Sequence, residues 1–92
     1  MNKKNKTYTQ ALNRVASYCS KAERCVLDVL QRLQKYALSS DEKEEIIDWL
    51  VSENFLNEER YAKAYVNDKV SFSRWGRLKI QQGLMQKKIS GH

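Results

Sequence analysis

The first 75 residues of this 92-residue chain contain no glycine, and proline occurs nowhere in it. Tight hairpins depend on Gly, Pro and Asn-Gly pairs to reach their turn conformations. A sheet built from such hairpins is therefore excluded over most of the chain, and long helices joined by short polar turns remain. The length allows a single domain whose one hydrophobic core is only just sufficient. The expected fold class is all-α.

Five helices can be placed from caps and apolar stripes. The first, Tyr8 to Tyr18, starts at Thr7 with Gln10 three residues on, and carries Ala11, Leu12, Val15 and Ala16 on one side. The second is expected from Ser20, with Glu23 completing a capping box and Ala22, Val26, Val29, Leu30 and Leu33 as its stripe. A third follows Ser39-Ser40, with Glu42 and Glu44 near its positive end and Ile46, Ile47, Leu50, Val51 and Asn54 turned inward. Asn57 caps the fourth, where Leu56 and Tyr61 are spaced for a hydrophobic staple and Tyr61, Ala62, Ala64, Tyr65, Val66 and Val70 form the apolar set. After a turn at Ser73 to Gly76, the fifth runs from Arg77 to Lys88, and Ser90-Gly91 ends it.

Sliding the sequence against itself by 54 residues pairs Leu12 with Val66, Ala16 with Val70, Val26 with Ile80 and Leu30 with Leu84. This reads as tandem three-helix repeats: a basic, disordered start over 1–7, a complete repeat over 8–56, and two helices of a second repeat over 57–92. On a helical wheel Leu78, Met85 and Ile89 of the fifth helix share a side whose counterparts in the second helix, Arg24, Gln31 and Lys35, are polar. An exposed apolar interface is expected there. A further repeat, a second copy of the chain or another partner would cover it, unless it packs against the third or fourth helix.

Charge is arranged in blocks. Residues 1–40 hold eight bases and two acids, 41–60 two bases and eight acids, and 61–92 seven bases and one acid, for a total of +6. Basic blocks favour polyanions, but the acidic middle cannot join them, so a partner surface of both signs or pairing between blocks is expected. With His92 as the lone histidine, no Ser/His or Cys/His catalytic arrangement exists, and no glycine-rich phosphate loop is present. Cys19 and Cys25 lack the company a zinc site or disulfide framework requires. Asp41 with Glu45 and Glu44 with Asp48 stand at helical spacing without further ligands, so they read as an interaction surface. No enzyme activity, metal or cofactor is expected. No run of 18 apolar residues or secretory signal occurs, which points to a cytoplasmic protein with no membrane partner.

Binding is the better-supported role. Arg74, Arg77, Lys79, Lys87 and Lys88 surround the last turn and helix, beside Trp75 and Phe72, and this mixture of charge and rings suits nucleic-acid and protein interfaces alike. A helix, a turn containing Gly76 and a basic second helix also fit the outline of a helix-turn-helix DNA reader.

Phe55-Leu56-Asn57-Glu58-Glu59-Arg60-Tyr61-Ala62-Lys63-Ala64-Tyr65-Val66 resembles the central signature of the RecX family of bacterial recombination regulators. Ser20-Lys21-Ala22-Glu23 with Val26 and Leu30 is similar to the family's first-repeat segment, and Trp75-Gly76-Arg77 with Ile80, Leu84 and Lys87 to its next block. The resemblance covers Ala11 to Ile89. It departs at Arg77, where proline is common, and at Lys88, where glycine is common. It implies tandem three-helix repeats, usually three, in a protein that binds the RecA recombinase filament on DNA and restrains strand exchange and ATP hydrolysis. The chain is then expected to lack the end of the second repeat and a whole third. By the same resemblance Arg74, Arg77, Lys79, Lys87 and Lys88 are the expected contacts to the filament or its DNA, with Trp75 as an anchor. Direct DNA binding, and self-association through the incomplete second repeat, are the other partner readings.

Overall fold

The computed structural model describes residues 6–89, and all their regular structure is helical. The elements are α1 (Lys6–Lys21), α2 (Val26–Leu33), α3 (Ser40–Ser52), α4 (Glu58–Asp68), a π-helical turn (Lys69–Ser73) and α5 (Arg77–Gln86). They form a rod 48 × 21 × 21 Å, with a radius of gyration of 14.8 Å against about 12 Å for a compact chain of this length. Within the stretch 1–7 expected to be disordered, Lys6 and Thr7 are already helical. Residues 1–5, the Ser90-Gly91 terminator and His92 lie outside the described residues.

Two helix starts are set by local side-chain chemistry. Ser39 accepts the Glu42 amide at 3.1 Å while Glu42 accepts the Ser39 amide at 2.9 Å, and Asn57 accepts the Arg60 amide at 2.9 Å. The start expected at Ser20 is corrected. α1 runs on to Lys21, Ser20 Oγ donates to the Ala16 carbonyl inside it, and α2 begins after Cys25, whose amide donates to Asp28 Oδ2 at 3.2 Å. Ala22 is exposed in the turn rather than part of a stripe.

The helix ends explain two further departures. At the end of α3, Asn54 takes a left-handed φ of 66° and the Phe55 amide reaches back to the Leu50 carbonyl, closing a Schellman turn. Val51 and Asn54, expected inward, are exposed. α5 ends the same way: Lys88 has φ 64°, its amide donates to Met85 O, and the Ile89 amide donates to Leu84 O at 3.0 Å. The reversal folds Ile89 back over Leu84, leaving it 3 % exposed.

There are two cores. The first gathers Ala11, Val15 and Cys19 of α1, Val29 and Leu33 of α2, Ile46 and Leu50 of α3, and Leu56. The second gathers Tyr61 and Ala62 of α4, Ile80 and Leu84 of α5, Ile89, and Cys25 from the head of α2. Leu56 and Tyr61 are thus buried in separate cores rather than joined as one staple. α2 belongs to both: Leu27 packs on the second cluster, Asp28 pairs with Lys87 at 2.8 Å, and just before the helix Glu23 pairs with Arg60 at 2.9 Å.

The repeat is real, but its period is 51 residues, not 54. The helix caps Cys25 and Gly76 correspond, as do buried Ala11 and Ala62, Val29 and Ile80, and Leu33 and Leu84. A slip of three residues rotates a helix by about 300°, close to a full turn, so one stripe still lands on another.

Candidate binding surface on the second unit

α4 does not run cleanly into the turn before α5. After Asp68 the backbone widens into the π-helical turn, and Arg74, at φ 58°, and Trp75 both donate their amides to the Lys69 carbonyl. Such π segments often accompany functional sites. This one delivers Trp75 onto the second core, half-buried, with its ring edge-on to Tyr65 at 6.3 Å between centroids. Lys69 Nζ lies 4.7 Å and Lys79 Nζ 4.5 Å from the Trp75 ring centroid, so two cations hold the indole by its π system. Arg74, Arg77 and Lys79 are exposed around it.

The structure divides the expected site residues. Arg74, Trp75, Arg77 and Lys79 share the turn and the first turn of α5, while Lys87 and Lys88 stand at the other end, about 15 Å along the helix. Lys87 is committed to Asp28. That pairing raises the Lys87 pKa; at Asp28 burial opposes the charge, but Lys87 and the Cys25 amide outweigh it and hold the carboxyl below its usual value. Lys88 serves the helix end. Leu78 and Met85 are 74 % and 69 % exposed, but Ile89 does not join them. A continuous helix would set Ile89 beside them, but the left-handed Lys88 turns it into the core.

A second apolar feature was not anticipated. Val66, Val70, Trp75, Ile80 and Leu84 line a groove between α4 and α5 with a volume of about 390 Å³. By the 51-residue period Val66 and Val70 correspond to Val15 and Cys19, which are 1 % and 8 % exposed because α3 lies over them. Val66 and Val70 are instead 36 % and 54 % exposed, since no third helix covers this unit among the described residues. Ala64, expected in the same stripe, is exposed too. The correct period is the signal that would have found the groove.

Other features bear on chemistry. Cys19 and Cys25 are buried free thiols, and burial pushes both pKa values up, so neither is a poised nucleophile. Burial likewise raises the Tyr61 hydroxyl, seconded by Cys25 and Asp28. Among the described residues no cluster of metal-ligating side chains occurs, and no helix is long and apolar enough to cross a membrane.

Residues 57–92 match the family model described as RecX, second three-helix domain. A regulatory protein RecX from Ralstonia nicotianae is 34 % identical over 71 residues, covering 77 % of this chain and 43 % of the relative. One from Lactobacillus gasseri is 26 % identical over 88 residues, covering 96 % of the chain and 32 % of the relative. A crystal structure of regulatory protein RecX superimposes with a TM-score of 0.81 at 25 % identity, over 91 % of this chain and 42 % of that one. The chain thus spans less than half the length of the relatives it matches. Their agreement with a fold of paired helices repeating every 51 residues places this all-α chain in the RecX family of regulatory proteins.

Proposed function

We propose that the chain is a non-enzymatic regulator that binds the RecA recombinase filament and restrains its recombination and ATP hydrolysis during DNA repair and the SOS response in the cytoplasm. The observation that carries this reading is the family match, which runs through both units and is joined by a fold shared over 91 % of the chain. The contact surface is Arg74, Trp75, Arg77 and Lys79, with Leu78 and Met85 as apolar anchors on the same helix. A half-buried indole flanked by cations is the composition of an interface hot spot. Lys87 and Lys88 play a smaller part, since one is paired and the other ends the helix.

The test is a titration into RecA, single-stranded DNA and ATP. Slower DNA-dependent hydrolysis and strand exchange, with co-sedimentation on filaments, is the expected result. Undiminished activity without co-sedimentation would overturn it. A second reading, a DNA-binding helical module, is favoured by the exposed Arg77 and Lys79 at the start of α5 after a turn. It predicts binding to naked duplex that falls with salt and is lost on charge reversal of those two residues.

A further inference from the structure

The first unit carries a basic recess that the reading above does not use. Its volume is about 210 Å³, and its lining includes Arg14 and Lys21 of α1, Arg24 in the following turn, Arg32 of α2, and Lys35 just beyond, with Tyr18 among them. Five cations line the recess and no acid does. None of the five forms an ion pair among the described residues. The chain has acids at hand. Glu23 and Asp28 neighbour these cations in sequence, yet both turn to the second unit, to Arg60 and Lys87. α2 and the turn before it therefore sort charge by face, which concentrates positive potential in the recess.

The guanidiniums are also positioned. Arg24 lies 3.8 Å and Arg32 4.2 Å from the Tyr18 ring centroid, and Arg24 Nε donates to the Tyr18 carbonyl at 3.0 Å, where it also serves the end of α1. The terminal nitrogens of both arginines have no hydrogen-bond partner among the described residues. Two guanidiniums held over one ring, with their terminal nitrogens unpaired among the described residues, match the oxygens of a phosphate. Because the Tyr18 ring already engages guanidiniums, recognition is of charge rather than of base identity.

We propose that this recess is a phosphate-binding site on the first unit. Two sources offer the same chemistry: the phosphodiester groups of a nucleic-acid strand and the phosphates of a free nucleotide. The experiment uses the full chain without RecA, so its outcome is independent of filament binding. Anisotropy of a fluorescein-labelled oligothymidylate is read against salt, and ATP binding is read by calorimetry, for the parent chain and for Arg32→Ala/Lys35→Ala. Both positions are exposed, and circular dichroism melting verifies that the variant folds.

If a strand occupies the site, the double variant loses about tenfold in affinity at moderate salt. The slope of log affinity against log salt flattens by roughly 1.4, the share of two phosphate contacts on single-stranded DNA. A loss confined to ATP assigns the site to free nucleotides. A folded double variant that binds both probes as the parent does overturns the proposal.

Discussion

Replacing Lys88 by glycine should make the protein more stable. Lys88 is exposed, sits at φ 64°, and is the residue that turns Ile89 back onto Leu84. An L-residue in the left-handed region carries a penalty of roughly 1–2 kcal/mol, and glycine carries none, although it gives back about 0.5–1 kcal/mol through the freedom it adds to the unfolded chain. The net gain is about 1 kcal/mol. With a urea m-value near 1 kcal/mol/M for a small domain, the unfolding midpoint should rise by about 1 M. Lys88→Ala is the control: it removes the same charge but keeps a Cβ, so its stability should stay within about 0.5 kcal/mol of the parent, a midpoint within about 0.5 M. Equal midpoints for the glycine and alanine variants would refute the argument, because the gain would then not come from the backbone.

Gly83→Ala should destabilise the second unit, even though alanine is the better helix former by about 1 kcal/mol, because its Cβ would strike the Tyr65 hydroxyl and come 2.9 Å from Tyr65 Cζ. Thermal melts should show a loss of about 1–3 kcal/mol, partly recovered when Tyr65→Phe is added. Asp28→Asn should flatten the dependence of stability on pH at both extremes, read as the difference in urea midpoints from the parent. The lowered Asp28 pKa contributes stability above the ordinary carboxylate value of about 3.9 that is lost as pH falls; the raised Lys87 pKa contributes stability below about 10.4 that is lost as pH rises. Cys19 and Cys25 should react slowly with a disulfide reagent at mildly alkaline pH in the native protein, and fast once unfolded.

The sequence discloses what is decided locally. Ser39 with Glu42 and Asn57 with the Arg60 amide are caps closed within four residues, and both are legible. Ser20 with Glu23 has the same form and misleads, because Glu23 is drawn to Arg60, 37 residues away, and Cys19 keeps α1 continuous by packing into the first core. Lys87 reads as a free cation until Asp28, 59 residues earlier, is found beside it. The fold class and the existence of a repeat survive such errors, since a stripe slipped by three residues is still a stripe. The site is more sensitive. Whether Ile89 faces solvent or core depends on one backbone dihedral at Lys88, and whether Val66 and Val70 are core or groove depends on a helix that covers their counterparts and not them.

An eight-residue helix is too short to hold itself together in water, where roughly 12–15 residues are marginal even for favourable sequences. α2 is nonetheless the element whose two sides serve both cores. Neither unit can melt without withdrawing half the support of the other's wall, so the rod should lose its order in a single step rather than end by end. Strain applied at one end, by a ligand on the first unit or a partner on the second, reaches the other through those two turns and through Arg60, which holds Glu23 and Asn54 of the first unit.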